Sequence, residues 1–246
     1  MKKIISTFAI FLLVISNITP IYANTGNNNE DDPYEEYTEQ EIVLIQELEA
    51  LEPDFDLSEG KVIAIDQISG SFDESSGTLT RGAIGNNYMT ITLAVQRINK
   101  SGYDRFKFIA TAKWDLVPTI RAQDAFAIAW SGGFARTSGN CKAYYKSQGY
   151  LADKTSQISS SPSKGVGYSV ECSNYYGVAL DHVTITAYVE QVNKTGVASL
   201  AASYAHATVG VSFGFGISFS SSPSISFSLN GLGTYDTMAR DRAFNY

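Results

Sequence analysis

The chain has 246 residues, of which 44% are hydrophobic and 17% charged, and its formal net charge is −7. A chain of this length is large enough to bury its own hydrophobic core, and single all-β domains of this size are common. We predict no nucleic-acid partner for a chain of this acidity.

Residues 1–23 are organised as a secretory signal peptide. Lys2 and Lys3 supply a charged start, and an apolar run follows that is too short for a stable membrane span. Ala23 ends the segment with a small residue suited to cleavage. No later apolar run has the length of a transmembrane helix. We therefore predict a secreted, extracellular protein.

Residues 24–59 form an acidic leader that differs sharply in charge from the rest of the chain. Thirteen Asp and Glu residues and no Lys or Arg lie between residues 30 and 59. The chain from residue 60 to residue 246 has sixteen basic and twelve acidic residues, a net charge of +4. The leader is therefore strongly acidic, whereas the domain that follows it is mildly basic.

A short amphipathic helix is predicted inside the leader, because Ile42, Ile45 and Leu48 repeat at helical spacing. Such a leader is either a pro-segment that masks a surface until it is removed, or a solvated segment that aids export and solubility. We favour the solvated segment, because no clear processing site follows Glu59.

An internal repeat organises the domain at residues 60–246. Residues 89–102 match residues 183–196, since Thr-Ile-Thr recurs and an Asn-Lys-Ser/Thr-Gly turn ends each copy. Each turn leads into another alternating run, which predicts two equivalent long hairpins. The predicted fold is all-β: an antiparallel β-sandwich with long hairpins, preceded by the short acidic helical leader.

The chain has only two cysteines, Cys141 and Cys172, on either side of a loop-rich stretch. In an exported chain an even pair favours a disulfide over two free thiols or a metal site. A zinc site would need further ligands, and the chain has only two histidines, His182 and His206. We predict a disulfide and no metal site.

Tyrosines are concentrated in the same region. The six are Tyr144, Tyr145, Tyr150, Tyr168, Tyr175 and Tyr176. Adjacent tyrosines on a strand point to opposite faces, so some of these rings are expected at the surface. With lysines nearby they suit a ligand surface for sugars or lipid headgroups. The alternative is that they are ordinary strand residues with hydrated hydroxyls.

The most regular stretch is residues 209–229, in which apolar residues alternate with Gly and Ser. The apolar positions are Val209, Val211, Phe213, Phe215, Ile217, Phe219, Ile225, Phe227 and Leu229. A Ser-Ser-Pro break at residues 221–223 divides the stretch into the two arms of a hairpin with one apolar face and one face of small residues.

Two interpretations of this hairpin remain open. A membrane-spanning β-hairpin alternates over about 9–11 residues per strand, and residues 209–219 have that length. In the other interpretation the apolar face packs in the core of the sandwich. We favour the core, because the second arm reaches only Leu229 before Asn230 and Gly231.

No catalytic motif is convincing. Residues 210–214 spell G-x-S-x-G, but the nucleophile elbow needs a strained turn between strand and helix, and this Ser lies within continuous β alternation. Asp181 and His182 could form half of an acid/base pair, but no nucleophile is associated with them. We predict a non-enzymatic protein without cofactors.

Several segments together resemble small secreted proteins of Gram-positive bacteria, some of them toxin-type proteins. They are the signal peptide, the repeat copy at residues 183–196, the Tyr-Ala-His-Ala-Thr run at residues 204–208 and the Gly/Ser-alternating finish. The likeness covers mainly the C-terminal third, and such proteins offer no catalytic residues to carry over. The resemblance implies a secreted effector.

Two functions are therefore compared. The first is a secreted toxin-like or membrane-active protein that uses the hairpin at residues 209–229. The second is an extracellular binding module for a glycan or cell-envelope polymer, with the tyrosines as its ligand surface. Release of dye from liposomes would separate the two.

Overall fold

The computed structural model describes most of the chain from residue 33 onwards. The described residues are 33–72, 87–98, 105–116, 123–174, 176–191, 195–220 and 223–246. The predicted signal peptide lies outside them. Residues 36–246 belong to one compact unit.

The described residues form one α-helix and eleven strands. In chain order they are α1 (Glu39–Leu51), β1 (Gly60–Phe72), β2 (Asn87–Ile98), β3 (Arg105–Trp114), β4 (Gln123–Trp130), β5 (Ala135–Tyr145), β6 (Gly149–Leu151), β7 (Thr155–Ser161), β8 (Gly165–Glu171), β9 (Leu180–Glu190), β10 (Val197–Phe219) and β11 (Ile225–Asn245). Two short 3₁₀ turns, Leu57–Glu59 and Ala152–Lys154, precede β1 and β7.

The strands form two antiparallel sheets. The first sheet has the order β1-β2-β3-β9-β5-β6 and the second the order β11-β10-β4-β8-β7. Apolar residues that alternate along the strands of both sheets meet in one core between them. The predicted fold class, an antiparallel β-sandwich preceded by a short acidic helix, is confirmed.

Aromatic rings fill the core between the sheets. Phe108 of β3 contacts Trp130 of β4 with ring centroids 5.8 Å apart, and Phe134 lies 5.1 Å from Phe108 on another side. All three side chains are buried. Such edge-to-face pairs add specific geometry to the area they bury, so this cluster holds the two sheets in one arrangement.

The internal repeat does not give two equivalent hairpins. β2 and β3 pair as a hairpin, as predicted. β9 pairs instead with β3 and β5 in the first sheet, whereas β10 lies in the second sheet between β11 and β4. Because both edges of β9 are occupied, the chain crosses to the other sheet after the second copy of the turn.

The predicted disulfide is wrong. Cys141 and Cys172 are free thiols, and both are buried. Cys141 lies on β5 of the first sheet, and Cys172 follows β8 of the second. Each thiol has its own polar neighbour, Thr155 for Cys141 and Asp124 for Cys172. The even number of cysteines was therefore a misleading signal.

The leader helix begins at a capping box. The Thr38 hydroxyl accepts a hydrogen bond from the Glu41 backbone N–H, and the Glu41 carboxylate accepts one from the Thr38 backbone N–H. That backbone N–H is the main reason why the pKa of Glu41 lies below its ordinary value. Ile45 and Leu48 are buried, as their helical spacing predicts.

Residues 36–59 of the leader cover part of the outer face of the first sheet. Lys107, Ile109 and Thr111 of β3 point away from the core, yet each is at most 1% exposed. Lys107 Nζ donates to the Asp54 carbonyl (3.1 Å) and to Glu59 Oε2 (2.5 Å). Residues 36–59 of the leader are thus packed on the sheet, whereas we favoured a solvated leader, because the sheet offers lysines to their carboxylates.

Candidate functional site

The candidate site is the end of the long hairpin formed by β10 and β11. The two strands pair from Val197 opposite Asn245 to Phe219 opposite Ile225. The second arm is therefore much longer than predicted, since β11 continues through Gly231 to Asn245. Glycine was interpreted as the end of the arm, but Gly231 pairs with Ser212 inside the ladder.

Residues 209–229 are called the hairpin tip. β10 pairs with β4 only from Leu200 to Ala205. Among the described residues, the backbone ladder of the tip runs between β10 and β11 alone. The tip therefore extends from the second sheet as a two-stranded ribbon, and such a ribbon needs side-chain packing to be stable.

The apolar face of the tip forms a small cluster separate from the main core. Phe215 is 4% exposed and packs with Ala125, Ala205 and Ala207. Its ring centroid lies 5.4 Å from that of Tyr235, whose hydroxyl donates to the Phe227 carbonyl (2.6 Å).

The tip packs over the outer face of the second sheet, where β8 has glycines. A Cβ atom added at Gly167 would overlap Ile217 Cδ1, and one added at Gly165 would lie 2.7 Å from Phe219 Cδ1. Neighbouring residues Val166 and Tyr168 point the other way, into the core. The absence of side chains at Gly165 and Gly167 is what allows the tip to lie against β8.

The predicted apolar residues of the tip are only partly withdrawn from water. Phe215 is buried, whereas Ile217, Phe219, Ile225, Phe227 and Leu229 are half-buried. The serines between them at positions 218, 224, 226 and 228 are exposed. The side chains of Val209, Val211 and Phe213 lie outside the described part. We favoured packing of the tip in the core of the sandwich. The described apolar residues of the tip instead form a small satellite cluster outside that core.

A β-bulge interrupts the alternation of the tip. The register of β10 against β11 shifts between Ser212 and Phe215. Gly214 has φ +116° there, a conformation that side chains rarely permit.

The six predicted ligand tyrosines do not form one surface. Tyr145 and Tyr168 are buried, Tyr175 lies outside the described residues, and Tyr176 is exposed at a different turn. Only Tyr144 and Tyr150 come together, with ring centroids 5.7 Å apart.

The Tyr144–Tyr150 pair has polar neighbours. Tyr144 stacks on the His182 ring at 4.3 Å, and Lys142 Nζ lies 5.9 Å from the centre of the Tyr150 ring. Burial raises the pKa of Tyr144 to about 12. Asp181 contacts His182 Nδ1 at 2.8 Å, and the Leu51 carbonyl lies 2.9 Å from Nε2, so this histidine holds the end of α1.

A cavity of about 240 Å³ lies between α1 and the outer face of the first sheet. Its polar walls include Thr90, Thr92, Thr111, Lys113 and Asp115. The Thr111 hydroxyl is 3.0 Å from that of Thr184, and Thr90 donates to Asp115 Oδ2 (3.0 Å). Hydroxyl, carboxylate and ammonium groups at one cavity could bind a small polar ligand.

A buried polar cluster at the base of the tip was not predicted from the sequence. Asp124 Oδ2 accepts hydrogen bonds from the Cys172 thiol and the Tyr204 hydroxyl, each at 2.8 Å, and lies 2.8 Å from His206 Nδ1. Burial, followed by the Asp124 charge, raises the pKa of Cys172 and of Tyr204 well above their ordinary values. The available signal was that Asp124, Tyr204 and His206 each continue an alternation of core residues.

Comparison with known proteins identifies no family. No protein-family model and no curated protein matches the chain. Within the described residues, no helix combines the length and apolar character needed to cross a membrane.

Three solved structures show a weak structural similarity to this chain. A pore-forming protein is 6% identical with a TM-score of 0.34, covering 74% of this chain and 95% of its own. The delta-toxin of Clostridium perfringens is 5% identical with a TM-score of 0.29, covering 78% and 95%. AvmM, which catalyses macrocyclisation in alchivemycin A biosynthesis, is 9% identical with a TM-score of 0.26, covering 62% and 87%. At these TM-scores the similarity assigns neither a family nor a function to this chain.

Proposed function

We propose that this protein is a secreted, non-enzymatic, toxin-like protein that acts on membranes through its hairpin tip. The observation that carries the proposal is that the apolar face of the tip packs outside the main core. Phe215 packs with small residues on the outside of the second sheet, and Ile217 and Phe227 pack against this cluster. The tip can therefore leave this surface while the aromatic core between the sheets stays intact.

The composition of the tip fits insertion between lipid and water. Among its described side chains, Phe215, Ile217, Phe227 and Leu229 pack in one apolar cluster, whereas Ser218, Ser226 and Ser228 are exposed. Membrane β-strands present this pattern, with apolar residues toward lipid and small or polar residues toward a lumen. A membrane-spanning β-strand needs about 9–11 residues. Both arms belong to strands of more than twenty residues, so both are long enough to cross a bilayer.

A reversible lock on the tip tests the proposal. Gly167→Cys and Ile217→Cys are combined, because the two positions are in contact and a disulfide between them would tie the tip to β8. We expect the wild-type protein to release dye from vesicles of phosphatidylcholine, phosphatidylserine and cholesterol. The oxidised double variant should release none, and a reductant should restore release.

The two single-cysteine variants are the matched controls, and they should release dye in either redox state. Equal release by the oxidised and reduced double variant would show that the tip need not detach. A wild-type protein that causes no release from these vesicles would also contradict the proposal.

A second function, an extracellular binding module for a glycan or cell-envelope polymer, is favoured by the hydroxyl-lined cavity beside α1. Exposed Tyr150, with Lys142 above its ring, adds an aromatic surface of the kind on which sugars stack. Binding to insoluble cell-envelope polysaccharide, without dye release and with loss on Tyr150→Ala, would support this function. Tyr176→Ala, at an exposed tyrosine elsewhere, is its control.

A further inference from the structure

The buried cluster at the base of the hairpin tip has the composition of a metal site. It joins Asp124 of β4, His206 of β10 and Cys172, which follows β8. β4 lies between β10 and β8 in the second sheet, so three adjacent chain segments each supply one side chain. Asp124 and His206 are 0% exposed and Cys172 is 1% exposed.

The donor atoms of these side chains converge. A carboxylate oxygen, the thiol sulfur and a histidine ring nitrogen all lie within 4.8 Å of one another. The sulfur and the ring nitrogen are each 2.8 Å from the same Asp124 oxygen. A tetrahedral zinc ion takes nitrogen, oxygen and sulfur donors at about 2.0–2.3 Å, and small adjustments of these side chains would bring all three to such distances.

We propose that Asp124, Cys172 and His206 bind a divalent cation of the zinc type. The mixed donor set argues against magnesium or calcium, which are bound by oxygen atoms. Binding replaces the thiol proton of Cys172, which leaves to solvent, by a sulfur–metal bond. His206 binds through the lone pair of Nδ1, with its proton on Nε2. The Tyr204 hydroxyl, also 2.8 Å from the Asp124 carboxylate, supports the carboxylate or completes the coordination.

The position of the site gives the ion a structural consequence. Asp124 Oδ1 accepts a hydrogen bond from the Ala207 backbone N–H (3.0 Å), just beyond the last pair between β10 and β4. A cation here ties β10 to β4 and to the end of β8, where the tip begins. This inference does not rest on the membrane activity, since the site lies within the sandwich and is tested by binding alone.

Cobalt substitution provides the test. The full mature protein is incubated with Co²⁺, and the absorption of a thiolate–cobalt charge-transfer band is measured, with the bound zinc of a parallel sample counted by mass spectrometry. We expect one ion per chain, a band that is lost in Cys172→Ser, and a band that is kept in Cys141→Ser. The latter is the matched control, because Cys141 is the other buried thiol. His206→Gln should weaken cobalt binding by at least tenfold.

A wild-type protein that binds no cobalt or zinc above background, or a band that survives in Cys172→Ser, would overturn the proposal. If the serine variants fail to fold, alkylation of the wild-type protein in mild denaturant decides. Zinc should then slow the labelling of Cys172 at least tenfold relative to Cys141. Equal labelling of both thiols with and without zinc would equally overturn it.

Discussion

Lys107 is a charged side chain that folding has removed almost completely from water. It is 1% exposed, donates to the Asp54 carbonyl and to Glu59, and lies 5.5 Å from the centre of the Tyr188 ring. The cost of burying its ammonium group is offset by these partners, all of which depend on the leader or the first sheet. Lys107 therefore couples the leader to the sheet.

Replacing Lys107 by Met should lower the free energy of unfolding by about 1–3 kcal/mol, because the partly buried hydrogen bonds from its ammonium group to the Asp54 carbonyl and to Glu59 are lost. Lys61→Met is the control, since Lys61 and Glu36 form an exposed ion pair, and such pairs contribute little to stability. Urea denaturation measures both variants. Equal effects of the two substitutions would show that the contacts of Lys107 do not hold the leader.

Gly214 has a backbone conformation that favours glycine, at the β-bulge of the tip. At φ +116° an alanine is strained, so Gly214→Ala should cost the tip about 1–3 kcal/mol of local stability. Gly216→Ala is the control, because an added Cβ there meets only the rotatable Ser228 hydroxyl. Hydrogen exchange of the amides at residues 215–219 measures the difference. Unchanged protection in Gly214→Ala would contradict the prediction.

At the scale of elements, the hairpin tip should unfold separately from the sandwich. Phe215→Ala removes the buried ring of the satellite cluster, whereas Phe108→Ala removes a fully buried ring of the main core. Phe108→Ala should lower the global free energy of unfolding by about 3–5 kcal/mol. Phe215→Ala should have a smaller global effect and should accelerate hydrogen exchange mainly in residues 209–229.

Equal global losses in the two phenylalanine variants would mean that the tip belongs to one cooperative unit with the core. That result would also weaken the proposed membrane function, because a tip that unfolds only with the sandwich has no independent route to a bilayer. The comparison is informative because both changes remove the same side chain.

At the scale of the whole molecule, the stability of the leader should depend on pH. Hydrogen bonds from Thr38 and Ser58 lower the pKa of Glu41 and Asp56 from their ordinary values of 4.5 and 3.8. The stabilisation from these carboxylates is therefore present above the ordinary values and is lost as the pH falls through the lowered ones.

Lysines set the upper limit of the same window. The hydrogen bond from Lys61 to Glu36 raises the pKa of Lys61 above its ordinary 10.5. Burial opposes the charged form of Lys142, but its contacts with Asp54 and Glu52 outweigh this and raise its pKa as well. Their contribution is present below 10.5 and is lost as the pH rises through the raised values.

Limited proteolysis tests this window. The burial of Ile45 and Leu48 predicts that at neutral pH the resistant fragment keeps α1. At a pH below the lowered pKa values of Glu41 and Asp56 the fragment should instead begin near Gly60, the start of the domain expected from sequence. Glu41→Gln should make the leader more susceptible at neutral pH and less sensitive to acid. A leader cut equally fast at both pH values would contradict the prediction.

The sequence by itself determined the local features of this protein. Period-two alternation predicts the strands of the sandwich, because side chains of a strand alternate between two faces. Helical spacing in the leader predicts α1, and the Ser-Ser-Pro break at residues 221–223 predicts the turn of the tip. These features depend on neighbours in the chain, so they can be read from the chain alone.

Only the tertiary structure decided which faces meet. The repeat could not show that both edges of β9 are occupied, and the alternation of the tip could not show that Phe215 packs outside the main core. Asp124, Cys172 and His206 are distant in sequence, and only strand order in the second sheet brings them together. Alternation specifies that a residue is covered, whereas its partner depends on the order and crossing of strands, which local periodicity does not encode.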